Sequence, residues 1–487
     1  MIQSILNLLN FYLKRMNLES KVDICYVLAH GFAARMVMQT DLLKKIQEKN
    51  LKVAVITPDI NDPILSKYCR DNDIKTYGFK LNLNAKEKRF KNLRKYILDD
   101  IEKNPALLEK HYQRTRFNKS KNPLSHIKPR LNFLAYKLSN YIPALRRRFI
   151  DNEQQLLVSE EVSNLLQEIN PHVLISTYPG NYYEGKILYN ARKLGINTVI
   201  HLLSWDNITC KGIFPSLADF YIAWGPIMQK ELQEYYNVSS SNINMTGVPH
   251  FDLHFKDLES ERHNLDYLDI DKSRKLIFQG LSSPRFAPKE IEIAETIAQN
   301  IESEKFGPNV QFVIRPHPQN VQGHMSDKTW LPRLKALESE KVKIFWPKVV
   351  KSNLPWSTEI DDLIMLSILL KQADVTLNSG STLSIDALAC KSPVILTSFD
   401  GENQLPFWKS ARRLIEYTHL KKLTNQGGIS VAENYDTLAN LINRYLENPE
   451  YLIKERQTTY INEVEGEGGN YTENVVNAIQ KVVNETA

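Results

Sequence analysis

The sequence predicts an α/β protein made of two doubly wound parallel sheets facing each other across a cleft. Three observations predict it. Short apolar runs alternate with amphipathic stretches in two separate series, a basic block over residues 86–150 interrupts the first series, and loops rich in small and polar residues follow the apolar runs. A chain of 487 residues is long enough for two or three domains. Its 42% hydrophobic and 24% charged residues are the balance of an ordinary folded protein.

The first series opens with KVDICYVLA (21–29), an amphipathic stretch over 33–48 and LKVAVI (51–56), which read as strand, helix, strand. It resumes with PHVLIS (171–176), a helix over 183–194, NTVIHLL (197–203) and FYIAW (220–224). A charged stretch, 255–273, reads as linker or surface helix. The second series then runs KLIF (275–278), a helix over 288–301, QFVI (311–314), VKIF (342–345), a helix over 361–371, DVTL (374–377), a helix over 383–390 and VIL (394–396). The expected division is a first domain over 1–265, carrying the mainly helical basic insertion 86–150, and a second over 266–468. Residues 469–487 hold a last helix that returns to the first domain.

Several classes are set aside by composition. Cys25, Cys69, Cys210 and Cys390 lie far apart with no CxxC pair, so neither a zinc knuckle nor a disulfide framework is expected, and a reducing cytoplasm is the simplest setting. No run reaches the roughly 18 to 20 apolar residues of a membrane-spanning helix. The opening MIQSILNLLNFYLKRMN contains Asn7 and Asn10 and has no basic leader, which argues against a signal peptide.

The net charge of +6 is regional. Residues 86–149 hold 18 basic and 5 acidic side chains, leaving a negative remainder. Such a block suits an anionic membrane surface, a polyanionic substrate or nucleic acid, with a solvated helical face as the plain alternative. No RNA-recognition signature or aromatic strip supports nucleic acid, which is not expected as a partner. Together with an amphipathic start (Ile2, Ile5, Leu6, Leu9, Leu13), the block predicts peripheral attachment to the inner face of the cell membrane.

In doubly wound folds ligands bind outside the carboxyl ends of the strands. After QFVI stands Arg315-Pro316-His317-Pro318, where a guanidinium fork and an imidazole suit a diphosphate. After DVTL, Ser379-Gly380-Ser381-Thr382 opens a helix, and bare amides at a helix start favour an anion. Asp386, one turn on, is placed for a ribose hydroxyl; a plain Ser/Thr cap with Asp386 solvated is the alternative. After KLIF, Gly280 and Ser282 allow close approach of phosphate or sugar, and Trp346, after VKIF, lies where a base would rest. In the first domain His30 follows the first strand, and an imidazole near its ordinary pKa of about 6.5 suits a general base. Glu184, Trp205, Asp206 and Asn207 are candidates for acceptor or sugar contact, as are Glu402 and Asn403, which with Asp400 follow VIL.

The order of elements, with His30, RPHP and NSGSTLSIDALACKSPVI, resembles the GT-B glycosyltransferases, in particular the bacterial surface-polysaccharide branch of HP-motif capsule transferases and teichoic-acid glycerophosphotransferases. The resemblance implies two Rossmann-like domains, the second holding a nucleotide-activated sugar donor and the first a cell-surface polysaccharide or lipid-linked acceptor. Many retaining members have Glu-x7-Glu, where this chain has Asn378 and Asp386, so an inverting transfer with His30 as base is implied. The metal-binding Asp-x-Asp signature of the other large glycosyltransferase fold is absent, so no metal or other cofactor is expected. A glycerophospho- or polyol-phosphate transferase, a sugar-nucleotide 2-epimerase and, outside enzymes, a nucleic-acid-binding protein are the alternatives.

Overall fold

The computed structural model describes residues 22–99, 101–117, 124–321, 327–349, 353–354, 359–466 and 468–486. The amphipathic start, residues 2–13, lies outside them.

Two parallel sheets form the frame. The first contains β1 (Val22–Val27), β2 (Val53–Thr57), β3 (Lys75–Gly78), β4 (Pro171–Ser176), β5 (Asn197–His201), β6 (Phe220–Ala223) and β7 (Ile243–Met245), in spatial order β3-β2-β1-β4-β5-β6-β7. The second contains β8 (Lys275–Gly280), β9 (Val310–Arg315), β10 (Val342–Ile344), β11 (Val375–Asn378), β12 (Val394–Thr397) and β13 (Ser430–Ala432), ordered β10-β9-β8-β11-β12-β13. The central strands are nearly continuous apolar runs because helices cover both faces of each sheet. Chain order reverses between β1 and β4 and between β8 and β11, so each sheet has a crevice there.

Three short strands, β3, β7 and β13, extend the sheets beyond the predicted runs. The stretch expected as one helix over 33–48 is two helices, Gly31–Gln39 and Leu42–Glu48, because Asp41 turns the chain through a left-handed conformation (φ 53°). The charged stretch 255–273 is mainly a 3₁₀ helix, Glu259–Leu268.

Between β3 and β4 the basic segment folds into Ala85–Ile97, Pro105–Tyr112, a π turn Gln113–Phe117, Leu124–Tyr141 and Pro143–Leu157. Part of its charge is internal. Buried Arg94 pairs with Asp99 (3.1 Å) and Glu153, and Lys186 reaches back to Glu87 (3.1 Å). The final helix, Tyr471–Thr486, packs Val475, Val476, Ile479 and Val482 into the first domain's core beside Ile24 and Tyr26, while Asp252 accepts the Tyr471 and Thr472 amides at 2.6 and 2.9 Å. One apolar cluster runs through both domains, from Trp224 and Phe251 to Phe278, Phe345 and Tyr417.

Candidate functional site

The carboxyl ends of both sheets meet at the cleft. His30 stands at the first crevice as N-cap of Gly31–Gln39, its Nδ1 accepting the Phe32 amide at 3.2 Å. Burial, with the charges of Lys211 and Arg35, brings its imidazole down to about 4. Neutral at pH 7, it is therefore a weaker base than an ordinary histidine. Five residues on from His30, on the same helix, half-buried Arg35 lies in the field of Asp362, Arg315 and Asp386, so this helix reaches the second domain.

At the second crevice Ser282 and Ser379 bridge the loops after β8 and β11 with a 2.7 Å hydroxyl contact. Glu290 closes the group, accepting the Ser282 amide at 2.6 Å, and burial pushes its carboxyl up to about 8. Both amide atoms of Gln279, Glu290 Oε1, Asn320 Oδ1 and Asn378 Nδ2 are buried without a protein partner. Waters or a hydroxyl-bearing ligand satisfy such groups.

Several predicted contacts are occupied by the protein itself. The Arg315 fork, expected to face phosphate, is closed on Asp362 (3.2 and 2.7 Å) and lies over the Phe345 ring, because β9 ends against the helix Ile360–Gln372. The amides of Gly380 and Ser381 are not bare: Asn378 Oδ1 accepts both, at 2.8 and 3.1 Å, ahead of a helix, Leu383–Ala389, of only seven residues. Asp386 is neither solvated nor turned to a ribose by its Oδ1, which takes His254 Nε2 at 2.9 Å. Burial opposes charge on His254, but the Cys390 sulfur and the Asp386 carboxylate outweigh it and lift the imidazole to about 10. Gly280 makes room for Leu383 rather than for ligand, since a Cβ there would overlap Leu383 Cδ2.

In the first domain Glu184 does not face the acceptor space. Its carboxylate, raised by burial, accepts Ser176 Oγ (2.8 Å) and the amides of Thr177 and Tyr178 (both 2.7 Å), tying the end of β4 to its helix. Trp205 packs between domains, donating to Glu463 at 3.1 Å and meeting the His419 ring edge-on at 4.5 Å. Asp206 pairs with Lys211 (2.6 Å); burial works against its charge, yet Lys211 holds it down to about 2. Asn207 is buried in the same loop with neither side-chain amide atom matched by protein.

The remaining predicted residues are placed less restrictively. His317 follows β9, its imidazole brought to about 4 by burial and Arg315. Thr382 is exposed, Trp346 half-buried against the second core, and Glu402 and Asn403 exposed on their loop. Buried Asp400 accepts the amides of Leu405 and Ala411 (3.1 and 2.9 Å) rather than reaching a sugar.

A cavity of about 710 Å³ opens at the carboxyl ends of β8, β9 and β12. Its walls carry Arg285 and Lys289 after β8, Arg333 after β9, Lys409 after β12 and Arg114 from the insertion, against Glu292 and Asp327. Lys289 is ion-paired to Glu292, and Arg333 to Glu295 (2.6 Å). The insertion is held over this cavity by Glu109, which engages Arg413 (3.3 Å) and the Tyr417 hydroxyl, and by Tyr112 stacked on Trp408 at 4.8 Å. Burial and the charges of Lys211, Lys95 and Arg285 lower the Lys110 ammonium to about 8. Sequence reasoning missed Arg285, Lys289, Arg333, Lys409 and Arg35; their only signal was a position in strand-end loops or on the helix after His30. Among the described residues no group of three or more His, Cys, Asp or Glu is placed to hold a metal ion.

This architecture is the two-domain GT-B arrangement. Solved structures similar across nearly the whole chain include UDP-GlcNAc 2-epimerase from Neisseria meningitidis bound to UDP-GlcNAc, 12% identical, covering 94% of this chain and all of that one with a TM-score of 0.53. The glycotransferase of kitacinnamycin is 11% identical, with 95% and 99% covered and a TM-score of 0.50. No family model matches the chain. Among curated proteins, the UDP-N-acetylglucosamine--N-acetylmuramyl-(pentapeptide) pyrophosphoryl-undecaprenol N-acetylglucosamine transferase of Ruminiclostridium cellulolyticum is 33% identical over 89 residues, which are 18% of this chain and 22% of that protein. The chain thus spans about a fifth of that relative's length.

Proposed function

We propose that the chain is a nucleotide-sugar-dependent glycosyltransferase that moves a sugar from a nucleoside diphosphate to a glycan or lipid-linked acceptor at the cytoplasmic face of a membrane. The single observation that carries this reading is the cationic cavity at the strand ends of the second domain, walled on one side by Arg114 of the insertion. A nucleoside diphosphate is the ligand class that such a surface stabilises, and its Arg and Lys side chains meet charge developing on the leaving phosphate without a metal. His30, neutral at pH 7, takes the proton of the acceptor hydroxyl on Nδ1, whose lone pair must first give up the Phe32 amide, as that oxygen attacks the anomeric carbon and the diphosphate leaves. One displacement inverts the configuration. An epimerase is the second reading, supported by its bound UDP-sugar in the same fold; it would release an epimerised nucleotide sugar with no acceptor present. A polyol-phosphate donor would use the same base but leave no anomeric product.

Binding and turnover test this. UDP, GDP, CDP, dTDP and CMP are compared by thermal shift; a ligand at 100 times its Kd adds about 2.7 kcal/mol of stability. Arg285→Gln should weaken binding of the best nucleotide by about 10- to 150-fold, one charge-assisted hydrogen bond. His30→Ala should keep that binding and lose about 10² to 10⁴-fold in turnover. No shift with any nucleotide, or an Arg285→Gln protein that binds like wild type, would remove the donor assignment. A retained anomeric configuration, or near-normal turnover in His30→Ala, would remove the base.

A further inference from the structure

Half of the large hydrophobic side chains exposed among the described residues fall between 127 and 150. They are ordered. Along the helix Leu124–Tyr141, Ile127, Leu131, Leu134 and Leu138 recur at spacings of four, three and four, which puts them on one stripe. Tyr141, Ile142 and Leu145 continue it across the junction with Pro143–Leu157, and Tyr141 is 83% exposed.

The opposite face of the first helix is already used. Pro129 and Tyr136 are buried, Phe133 stacks on His111 at 4.7 Å, and Tyr136 and Lys137 both reach Glu102. In the second helix Phe149 stacks on Phe90 at 4.1 Å. The hairpin is thus anchored to the body of the insertion by one apolar face and presents a second outward. Leucines repeated at the helical period on an outward face are not explained by packing among the described residues.

Charge selects what covers that face. From Lys110 to Ile150 the sequence holds 11 Lys and Arg and no Asp or Glu. Lys128 and Arg130 flank the stripe on the first helix, and Arg147 and Arg148 stand exposed beside Leu145 on the second. A second copy of this face would bring like charges together, and nucleic acid has no use for a central leucine stripe. An anionic lipid surface satisfies both features at once, with leucines entering the acyl boundary and cations meeting headgroup phosphates.

We infer that the helical pair 124–157 is the membrane-docking element of this protein, lying flat on an anionic bilayer with Leu131, Leu134 and Leu138 inserted. This deepens the proposed function and rests on it for the location of the acceptor. The same insertion supplies Arg114 to the cavity, so docking would set the cleft beside the bilayer surface.

The test is flotation of the full chain with vesicles of phosphatidylcholine alone and of phosphatidylcholine mixed with phosphatidylglycerol. Wild type should float with the mixed vesicles and be released by salt. Leu131→Ser/Leu134→Ser/Leu138→Ser, three exposed sites whose change should leave the melting temperature unaltered, should weaken association by at least about 100-fold. Arg147→Gln/Arg148→Gln should weaken it by about 30-fold, since each cation near such a surface is worth about fivefold. Equal flotation of wild type and the leucine variant would overturn the inference, as would binding that disappears only when residues 1–21 are removed. Self-association lost in the leucine variant, with no lipid binding by wild type, would assign the face to a second copy instead. Nucleotide-induced thermal shifts need no lipid, so failure of the donor reading would be seen separately.

Discussion

Arg315→Ala should destabilise the second domain rather than report on phosphate binding. Asp362, 1% exposed, accepts both arms of the Arg315 fork and also the Lys348 amide at 3.1 Å. Removing the guanidinium leaves a buried carboxylate with one backbone donor, and losing one partner of a buried ion pair costs about 3 to 5 kcal/mol. Arg35, whose field already includes Asp362, moderates that loss toward its lower end. For a domain of this size each kcal/mol moves the midpoint by about 2 to 4 °C, so a fall of about 6 to 20 °C is expected. Differential scanning calorimetry of Arg315→Ala and Arg315→Met/Asp362→Leu measures it. The double variant should recover most of the loss, because a buried pair replaced by apolar groups of similar volume is close to neutral. An Arg315→Ala protein that melts like wild type but has lost nucleotide affinity would refute this reasoning and return Arg315 to the ligand.

Two further outcomes follow from the second crevice. Burial raises the Glu290 carboxyl from 4.5 to about 8, so the folded state holds a proton that the unfolded state releases; its stabilising contribution is complete below pH 4.5 and is lost as pH rises to about 8. Glu290→Gln, which mimics the protonated acid, should gain in melting temperature relative to wild type across that window, and parallel pH profiles would count against it. Gly280→Ala places a Cβ onto Leu383 Cδ2 and should cost about 1 to 3 kcal/mol by overpacking, read from denaturant midpoints; an unchanged midpoint would mean that Leu383 moves aside freely.

The interior strands were legible because a parallel strand covered on both faces must be nearly apolar along its length, as VDICYV, VAVIT and PHVLIS are but for half-exposed Asp23 and His172 near their starts and the polar Thr57 and Ser176 at their ends. The edge strands KTYG, INM and SVA were not, since an edge is short and needs little apolar surface. Placement of His30, Ser282, Ser379 and the 315–318 turn at strand ends was legible for the same reason that the strands were.

Partnership was decided only in three dimensions. Arg315 finds Asp362 on a helix four elements on, Asp386 finds His254 on the short helix Asp252–Phe255 at the end of the first domain, and Trp205 finds Glu463 near the far end of the chain. A sequence shows that a guanidinium or carboxylate stands at a strand end, but not whether its charge is already spent. The cationic cavity is the converse case, with Arg114, Arg285, Arg333 and Lys409 unremarkable until folding converges them. Composition alone determined that residues 110–150 carry only positive charge; tertiary packing decided which face of their helices is buried and which leucines are left outside. The physical reason is range: burial pattern follows from the period of neighbouring residues, whereas pairing and convergence depend on contacts that only chain closure brings together.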